Sequence, residues 1–305
     1  MADISVKQSF RDRFSPLTNF DEFMKASTTE PRKSLRVNTL KASVEEIRER
    51  LSSWSLVPVP WCKEGFWYDS SSSGMSAGNS VEYALGKIYI QNASSMIPPV
   101  VLDPQPGDRV LDLCASPGSK ATQLAMYMKN EGVLVANDTG EDRLTALGSN
   151  VQRVGATNCV VTQMRGEWFK DIVFDKILLD APCSGSGTIA KSPRTLQSWN
   201  PGIVKRLSGL QKKLLLTCWD MLAQGGTLVY STCSVDPVEN EGVIDFLLRK
   251  KDDAMVEQIS LPVKSSPAVE EFDGDTFSPE VKKCLRLWPQ DNDTEGFFIA
   301  KLVKK

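Results

Sequence analysis

Two cysteines stand directly after apolar runs, at positions fifty residues apart in the chain. Cys183 follows "KILLDAP" and Cys233 follows "TLVYST". The chain contains no histidine, which excludes a Cys–His hydrolase and a serine triad of the usual kind. The thiolate of a cysteine at a strand end is favoured by N–H groups of the turn or helix that follows. We therefore interpret Cys183 and Cys233 as reactive thiols, and Cys159 and Cys218, which lie inside apolar segments, as small buried hydrophobes.

Methylation of cytosine at carbon 5 is a reaction that needs such a thiolate. Attack of a thiolate on carbon 6 makes carbon 5 nucleophilic and divides one difficult step into two easier ones. Asp180 lies in the same turn as Cys183, and a carboxylic acid at ring nitrogen 3 would stabilise the electron-rich adduct. Methylation of an amino group would instead favour an aromatic residue beside the proline, and "DAPCSG" has none. From the residues alone either cysteine could attack, and DNA cytosine methyltransferases, which use the cysteine of a Pro-Cys turn, point to Cys183.

The stretch "DLCASPGSKAT" is typical of a turn that leaves a strand and enters a helix. Gly118 lets the backbone approach a ligand closely, and the N-terminus of the following helix favours a carboxylate or phosphate. Only one glycine lies in this turn, which argues against the three-glycine dinucleotide fingerprint. Asp138 ends the next predicted strand, where a carboxylate can accept from both ribose hydroxyls. One ribose, one carboxylate and no pyrophosphate together fit S-adenosylmethionine as the cofactor.

The elements that would position these residues alternate between strands and helices from about residue 96. Predicted strands are 108–114, 132–138, 158–164, 174–182 and 225–233, predicted helices are 119–130, 141–155, 201–223 and 238–250, and 284–290 and 295–303 are predicted to pair as antiparallel strands. This alternation predicts an α/β fold with a parallel, doubly wound sheet. Ligands bind such sheets at the carboxyl ends of the strands, where Asp112, Asp138, Asp180 and both reactive cysteines are expected.

Residues 1–95 are predicted to form a separate, small α+β unit. The segment "SLRVNTL" is typical of a strand, and a helix is predicted over 43–54 because Ser43 and Glu46 form a capping box. The small, polar segment 69–80 is predicted to be an exposed loop. The predicted domains are therefore 1–95 and 96–305.

The charges are distributed unevenly along the chain. A formal net charge of −2 argues mildly against a nucleic-acid partner, since Lys and Arg drive phosphate binding. However, no acidic residue lies between Asp180 and Asp220. That stretch contains Lys191, Arg194, Lys205, Arg206, Lys212 and Lys213, and a second acid-free run contains Arg32, Lys33, Arg36 and Lys41. Such runs are often solvated faces, but two of them favour an anionic partner.

Composition excludes several other classes of protein. No apolar run is long enough to span a bilayer, and the first residues contain no apolar signal core. The seven scattered cysteines do not form a disulfide framework, and without a C-x-x-C pair or a histidine the chain lacks the usual zinc ligands. We expect a cytoplasmic monomer with reduced thiols and neither metal nor membrane partner.

Six stretches of the chain resemble, in order, the motifs of the Nol/Nop/Sun family of RNA 5-methylcytosine methyltransferases. They are "SLRVNTLKAS", "YIQNASSM", "VLDLCASPGSKATQ", "LLDAPCSGSG", "GGTLVYSTCSVDPVENE" and "LRLWPQDNDTEGFFIAKL". The resemblance covers about residues 32–303, and "PVPWCKEGFWYD" is most similar to the bacterial 16S rRNA cytosine-C5 branch, methyltransferase F. It implies a class I (Rossmann-like) methyltransferase sheet with a small N-terminal RNA-binding unit. It also implies S-adenosylmethionine as the cofactor and RNA as the substrate, with rRNA ahead of tRNA.

The resemblance also implies a role for each matching residue. Cys233 falls on the nucleophile, Cys183 on a helper cysteine linked to product release, and Asp180 on the acid at cytosine nitrogen 3, which also belongs to the cofactor set. The cofactor loop falls on Ala115, Ser116, Pro117, Gly118, Ser119, Lys120 and Ala121, with Lys120 also in the catalytic set, Asp138 as the ribose acid and Arg143 following it. The candidate RNA contacts are Arg36, Asn38, Lys191, Arg194 and Lys205.

One departure from the family pattern supports a different class of function. Arg165 stands where the family usually has an acid near the adenine, and an arginine cannot accept a hydrogen bond from the adenine amino group. The alternative is therefore an RNA-binding, ribosome-assembly module on a catalytically degenerate methyltransferase fold. A thiol redox protein, with Cys183 and Cys233 close in space, is a third interpretation.

Overall fold

The computed structural model describes residues 6–71 and 74–305. The chain divides into two compact units. We call Arg32–Asp180 with Thr217–Val229 the sheet unit, and Met1–Pro31 with Ala181–Leu216 and Tyr230–Lys305 the thiol unit.

The helices and strands of the described residues are numbered in chain order. The α-helices are α1 (Gln8–Phe14), α2 (Phe20–Thr28), α3 (Val44–Arg50), α4 (Val81–Ala84), α5 (Ile97–Leu102), α6 (Ser119–Tyr127), α7 (Glu141–Val154), α8 (Arg194–Ser198), α9 (Pro201–Met221) and α10 (Glu241–Lys250). The strands are β1 (Ser34–Val37), β2 (Val57–Pro58), β3 (Gly65–Trp67), β4 (Ile88–Ile90), β5 (Arg109–Asp112), β6 (Val133–Asp138), β7 (Cys159–Gln163), β8 (Phe174–Asp180), β9 (Leu222–Thr232), β10 (Ala254–Glu257), β11 (Glu271–Phe272), β12 (Asp275–Thr276), β13 (Leu285–Leu287) and β14 (Phe297–Lys304).

The first part of the sheet unit is an antiparallel sheet of order β2–β3–β1–β4. Leu35 on the central strand β1 pairs with Phe66 and Ile90, and its side chain is buried in an apolar cluster with Ile47 of α3. The helix α3 begins where the capping box predicts, because the Oγ of Ser43 accepts a hydrogen bond from the Glu46 N–H at 3.0 Å. The structure confirms the strand and the helix predicted for this segment.

The second part of the sheet unit contains parallel strands in the order β8–β5–β6–β7. Leu111 of β5 lies opposite Ile177 of β8 and Val135 of β6, and apolar residues of this kind suit strands that are covered on both faces. Asp112, Asp138 and Asp180 are the last residues of three of these strands. Because parallel strands end at the same edge, the fold brings the three carboxyl groups to one side, as predicted.

The thiol unit combines the first two helices with the last strands of the chain. Strand β14 pairs antiparallel with both β10 and β13, and Leu285 lies opposite Ile299, which confirms the predicted pairing of the last two strands. Phenylalanines of α1 and α2 pack against two tryptophans that lie far along the chain. The ring centroids of Phe10 and Trp199 are 5.0 Å apart, and those of Phe23 and Trp288 are 5.2 Å apart.

The α/β class and the mostly parallel sheet are confirmed, and the domain boundary near residue 95 stays a prediction. Among the described residues, 6–31 fold into the thiol unit, and 32–71 and 74–95 fold into the sheet unit. Within the segment 69–80, predicted as a loop, Ala77–Asn79 forms a short 3₁₀ turn, and residues 72 and 73 lie outside the described residues. No helix of the described residues is both long and apolar enough to cross a bilayer.

Candidate active site

The two predicted reactive cysteines meet in the thiol unit. Cys183 lies in the turn that follows β8, and Cys233 directly follows β9. Their Sγ atoms are 3.1 Å apart, and both residues are half-buried. The Ala181 N–H donates to the Ser231 carbonyl oxygen at 2.8 Å, so the first turn is bonded to the strand that leads into the second.

A glycine makes the close approach of the two turns possible. The Gly187 N–H donates to the Cys233 carbonyl oxygen at 2.9 Å. A Cβ atom at position 187 would lie 2.5 Å from the Gly296 carbonyl oxygen and 2.8 Å from that of Cys233. Both distances are too short for any side chain, so glycine is required at position 187 for packing beside Cys233.

The environment of the pair keeps the proton on Cys183. The pKa of the Cys183 thiol is raised well above its usual value, first by its hydrogen bond with Cys233, then by burial, and then by the negative charges of Cys233 and Glu239. Cys183 therefore stays a thiol and can donate its S–H to the neighbouring sulfur.

Buried ion pairs hold the turn that follows β9. Arg13 of α1 donates to both carboxylate oxygens of Asp236, one of them at 2.9 Å, and the Asp236 side chain is fully buried. Arg286 of β13 donates to the Val235 carbonyl oxygen at 2.8 Å and pairs with the buried Glu241. The position of this turn therefore depends on both ends of the chain.

The predicted cofactor loop lies in the sheet unit, between β5 and α6. Gly118, the residue before α6, has a φ of 104°, a left-handed conformation that favours glycine. A Cβ atom there would lie 3.0 Å from Leu147 Cδ1. The loop is tied to β6 because the Ala115 N–H donates to the Asn137 carbonyl oxygen at 2.8 Å. The first N–H groups of α6 have no partner within the helix, which makes this end suited to an anionic group.

Asp138, the predicted ribose acid, is buried and accepts four hydrogen bonds. One oxygen accepts from the Thr139 and Gly140 N–H groups at 2.8 and 3.3 Å. The other accepts from the Ser116 N–H at 3.2 Å and from Arg143 at 3.0 Å. A carboxylate has about four acceptor positions, so a ribose hydroxyl must replace one of these donors. The Arg143 side chain, which is 59% exposed, is the donor that can move most easily.

Three further charged groups lie at the ends of β5 and β8 and at the start of α6. The Lys120 ammonium donates to an Asp180 carboxylate oxygen at 2.7 Å, which joins two predicted catalytic residues in one ion pair. Asp112 is fully buried, and among the described residues neither of its carboxyl oxygens makes a hydrogen bond of ordinary geometry. Burial, followed by the charge of Asp180, raises the pKa of Asp112 to about 8.

The structure separates the candidate RNA contacts into two groups. Lys191, Arg194 and Lys205 are exposed in the thiol unit, and Lys191 forms a long ion pair of 3.4 Å with Glu295. Arg36 and Asn38, by contrast, are buried and are used inside the sheet unit.

The burial of Arg36 and Asn38 corrects their prediction as direct RNA contacts. The Arg36 guanidinium donates to Gln91 and Thr122 side chains at 2.8 and 3.0 Å. The Asn38 amide donates to the Gly86 and Val154 carbonyl oxygens, both at 2.8 Å. Their hydrogen-bonding groups hold the N-terminal strands to α6 and α7 and do not reach solvent.

Two acids near the site were missed by the sequence analysis. Glu239 is fully buried and accepts from the residues that follow both cysteines. Its signal in the sequence is the polar run "ENE", which leads into the amphipathic helix α10. Glu167 follows Arg165 by two residues and pairs with it at 3.2 Å, so the segment after β7 does contain a carboxylate.

Two family models account for most of the chain. The model described as 16S rRNA methyltransferase RsmB/F matches residues 99–303, and the model of the N-terminal domain of 16S rRNA methyltransferase RsmF matches residues 7–93. The chain belongs to the RsmB/F family. The resemblance inferred from its motifs is therefore confirmed.

Members of the family with curated names resemble the chain over nearly all of its length. It is 46% identical to a tRNA (cytosine(49)-C(5))-methyltransferase of Pyrococcus abyssi, over 98% of this chain and 96% of the relative. It is 40% identical to the Ribosomal RNA small subunit methyltransferase F of Shewanella sp. (strain MR-7), over 94% of this chain and 59% of the relative. The chain thus spans about three fifths of the methyltransferase F length.

Solved structures show the same fold. A methyltransferase homolog protein from Pyrococcus horikoshii superposes with a TM-score of 0.89 and 38% identity, covering 99% of this chain and 96% of that one. NSun6 from P. horikoshii, in a structure with SFG, superposes with a TM-score of 0.85 and 23% identity, covering 98% of both chains. At that identity the second similarity supports the fold alone.

Proposed function

We propose that the chain transfers a methyl group from S-adenosylmethionine to carbon 5 of a cytosine in RNA, through a covalent bond between Cys233 and carbon 6. The observation that carries this proposal is the 3.1 Å contact between the Cys183 and Cys233 sulfurs. The raised pKa of the Cys183 thiol supports a protonated helper thiol at Cys183, beside the proposed nucleophile Cys233. Membership of the RsmB/F family supports RNA methylation as the reaction class.

The residues of the sheet unit fit S-adenosylmethionine. The N-terminus of α6 after Gly118 suits its carboxylate, and Asp138 suits its ribose hydroxyls once Arg143 moves aside. Asp112, whose buried oxygens lack hydrogen bonds of ordinary geometry, and Asp180 would favour its positive charges. The sulfonium supplies an electrophilic methyl group when the cofactor is bound.

The chain's own residues supply the remaining chemistry. Attack of the Cys233 thiolate on carbon 6 pushes electrons toward ring nitrogen 3, and we assign Asp180 to that nitrogen, with Lys120 as the source of a proton. The Lys120 ammonium, 2.7 Å from the Asp180 carboxylate, carries the proton that a carboxylate by itself lacks. Carbon 5 is then nucleophilic enough to take the methyl group.

Product release returns the electrons to Cys233. A water molecule takes the carbon-5 proton, the bond between carbon 6 and sulfur breaks, and the sulfur leaves as a thiolate, while the proton on nitrogen 3 returns to Lys120. The Cys183 thiol, 3.1 Å away, can donate a hydrogen bond to that thiolate as it forms. This gives a physical basis for the helper role in product release, and no histidine is required.

The degree of identity to the relatives orders the candidate substrates. The chain is 46% identical to a tRNA (cytosine(49)-C(5))-methyltransferase and 40% identical to a methyltransferase F protein. We therefore propose tRNA as the first substrate to test and rRNA as the second, which reverses the order predicted from the motifs.

The test is a comparison of Cys233→Ala with Cys183→Ala on tRNA and 16S rRNA transcripts. Methyl transfer from labelled S-adenosylmethionine and bisulfite sequencing would report the product, and denaturing electrophoresis would report a protein–RNA adduct. Cys233→Ala should form no adduct and lose turnover by roughly 10⁴-fold or more, as expected for loss of a nucleophile. Cys183→Ala should still attack and methylate but accumulate the adduct.

Three results would contradict this proposal. An adduct that accumulates in Cys233→Ala and disappears in Cys183→Ala would reverse the two roles. Methylation at a base other than cytosine, or at a position other than carbon 5, would overturn the assigned chemistry. If the wild-type chain binds RNA but does not bind S-adenosylmethionine and forms no adduct, the chain is an RNA-binding module on this fold.

A further inference from the structure

The carboxyl group of Glu239 lies between the two turns that carry the cysteines. One of its oxygens accepts from the Ser184 N–H at 2.9 Å and from the Gln211 side-chain amide at 3.1 Å. The other accepts from the Ser234 hydroxyl at 2.6 Å and from the Ser184 hydroxyl. Ser184 directly follows Cys183, and Ser234 directly follows Cys233, so one carboxyl group is bonded to the neighbour of each thiol.

We propose that Glu239 is a positioning residue that holds the Cys183 and Cys233 turns together and thereby sets the spacing of the two sulfurs. Its importance for methyl transfer rests on the proposed function, whereas its effect on the spacing of the thiols does not. Glu239 touches neither sulfur by a hydrogen bond in the structure, so it acts through Ser184 and Ser234.

The number and kind of donors support this role. A carboxylate has about four acceptor positions, and four donors from three residues fill them. All four donors are uncharged, so they offset only part of the free energy required to bury a charge, and burial raises the pKa of Glu239. An apolar side chain at this position would avoid that penalty but could not join the two turns.

Further hydrogen bonds connect the two cysteine turns beyond Glu239. The Ser234 hydroxyl accepts from the Asp236 N–H at 3.0 Å and lies 3.0 Å from the Ser186 hydroxyl. The Ser186 hydroxyl in turn accepts from the Val235 N–H at 3.0 Å. The serines of both turns therefore form one network with Glu239, and removal of the carboxyl group would take away the acceptor that two of their hydroxyls share.

The charge of Glu239 has a second effect on the pair. It contributes to the raised pKa of Cys183, after the hydrogen bond with Cys233, burial and the charge of Cys233. The same side chain thus holds the helper thiol in place and helps it to keep its proton.

The experiment measures how fast Cys183 and Cys233 form a disulfide in the full-length chain. With diamide as oxidant, the two thiols lose two electrons and two protons, an S–S bond forms, and the N=N bond becomes a hydrazine. The variants are Glu239→Ala, Glu239→Gln and, as a control, Asp245→Asn, which alters a buried acid of α10 that bonds Arg249 and the Ser278 N–H. Tryptic mapping by mass spectrometry identifies the disulfide.

Loss of the carboxyl group should slow the Cys183–Cys233 disulfide by about tenfold in Glu239→Ala, because reactions between neighbouring groups depend steeply on their spacing. Glu239→Gln, which keeps the shape and two oxygen-acceptor bonds, should stay within about threefold of the wild type. Asp245→Asn should match the wild type. Equal rates in Glu239→Ala and the wild type, or equal slowing in Asp245→Asn, would overturn the positioning role.

Two further measurements keep the result interpretable. If Glu239→Ala does not fold, Ser184→Ala with Ser234→Ala removes the two hydroxyl donors and should also slow the disulfide, and an unchanged rate there would overturn the proposal. Methyl transfer on the same samples separates the two proposals. If disulfide formation is slower in Glu239→Ala but the wild type transfers no methyl group, the positioning role is supported and the proposed function is contradicted. If the wild type transfers methyl groups but the disulfide rate of Glu239→Ala is unchanged, the proposed function is supported and the positioning role is contradicted.

Discussion

The cysteine turns and the end of β5 satisfy their buried acids in opposite ways. In the thiol unit, Glu239 accepts from four donors, and Asp236 accepts from two of the three guanidinium nitrogens of Arg13. In the sheet unit, Asp112 is equally buried, but its oxygens make no hydrogen bond of ordinary geometry with any described residue. Both acids of the first region are hydrogen-bonded through both of their oxygens, whereas the end of β5 keeps a buried carboxyl group whose charged form is poorly supported.

This difference indicates what each region is built to do. A nucleophile and its helper must keep a fixed geometry through attack and release, and a saturated network provides this. A cofactor site must let one ligand leave and another enter in every cycle, so its polar groups are expected to exchange partners. Substitutions in the thiol unit should therefore change stability, and substitutions in the cofactor loop should change ligand binding or its dependence on pH.

The largest effect on stability is expected for Arg13→Gln. This change leaves the fully buried Asp236 without its cation, and breaking a buried pair by removing one partner lowers the free energy of unfolding by about 3–5 kcal/mol. Urea denaturation followed by circular dichroism would measure the change. Arg11→Gln is the matched control, because Arg11 and Asp21 form an exposed pair at 3.6 Å, and such pairs contribute about 0–1 kcal/mol.

Similar losses of unfolding free energy in Arg13→Gln and Arg11→Gln would contradict this prediction. The thiol unit would then not depend on the buried pair, and the saturated network would be no more stabilising than a surface contact.

Asp138→Ala should weaken S-adenosylmethionine binding in the proposed site. Charge-assisted hydrogen bonds contribute about 1.5–3 kcal/mol, which corresponds to a dissociation constant about 10 to 100 times larger. Isothermal titration calorimetry would measure it, with Asp142→Ala as a control because Asp142 is exposed in the first turn of the same helix α7. An unchanged affinity in Asp138→Ala would remove Asp138 from the cofactor site.

Asp112 should make the stability of the wild type fall as the pH rises. Its pKa is about 8 in the folded chain against an ordinary value of 3.8, so between about pH 4 and pH 8 the folded state holds a proton that the unfolded state has lost. The free energy of unfolding then decreases with pH by at most about 1.4 kcal/mol per pH unit from this group. The contribution is fully present below about pH 4 and lost above about pH 8.

Asp112→Asn should abolish that part of the slope. Urea denaturation of the wild type and the variant at pH 5, 6, 7 and 8 would compare the slopes, which are independent of any constant loss of stability from the substitution. Parallel curves for the two proteins would show that Asp112 ionises normally and that its burial is compensated.

The smallest effect is expected for the exposed cations of the thiol unit. Replacing Lys191 and Arg194 by Gln should lower RNA affinity and reduce the log–log salt slope by about one unit for each lost phosphate contact. Filter binding between 50 and 200 mM salt would measure the slope, with Lys250→Gln and Lys282→Gln as exposed controls outside the acid-free stretch. An unaltered slope would make the stretch from Lys191 to Lys213 a solvated face.

Much of the fold could be predicted because local pattern and final structure agree. Strands β5, β6, β8 and β9 are predictable because each is an apolar run that ends at or just before an acid or a cysteine. The same pattern predicts that Asp112, Asp138 and Asp180 lie at one edge of the sheet. Arg36 and Asn38 were misread because a cation or an amide in a strand has the same sequence signal whether it faces solvent or a buried acceptor. Glu239 and Arg13 were missed because their partners are distant in sequence or hidden in a turn, and periodicity does not report such contacts.

The discontinuous thiol unit has a consequence for the order in which the chain folds during synthesis. Helices α1 and α2 leave the ribosome first, but at seven and nine residues they are too short to be stable alone. Their phenylalanines are buried against Trp199 and Trp288, which are translated only after strands β1 to β8. The sheet unit can assemble most of its parallel strands in the interval. The phenylalanines of α1 and α2 therefore stay exposed until these tryptophans are made. Folding of the thiol unit is expected to be the late step of biogenesis.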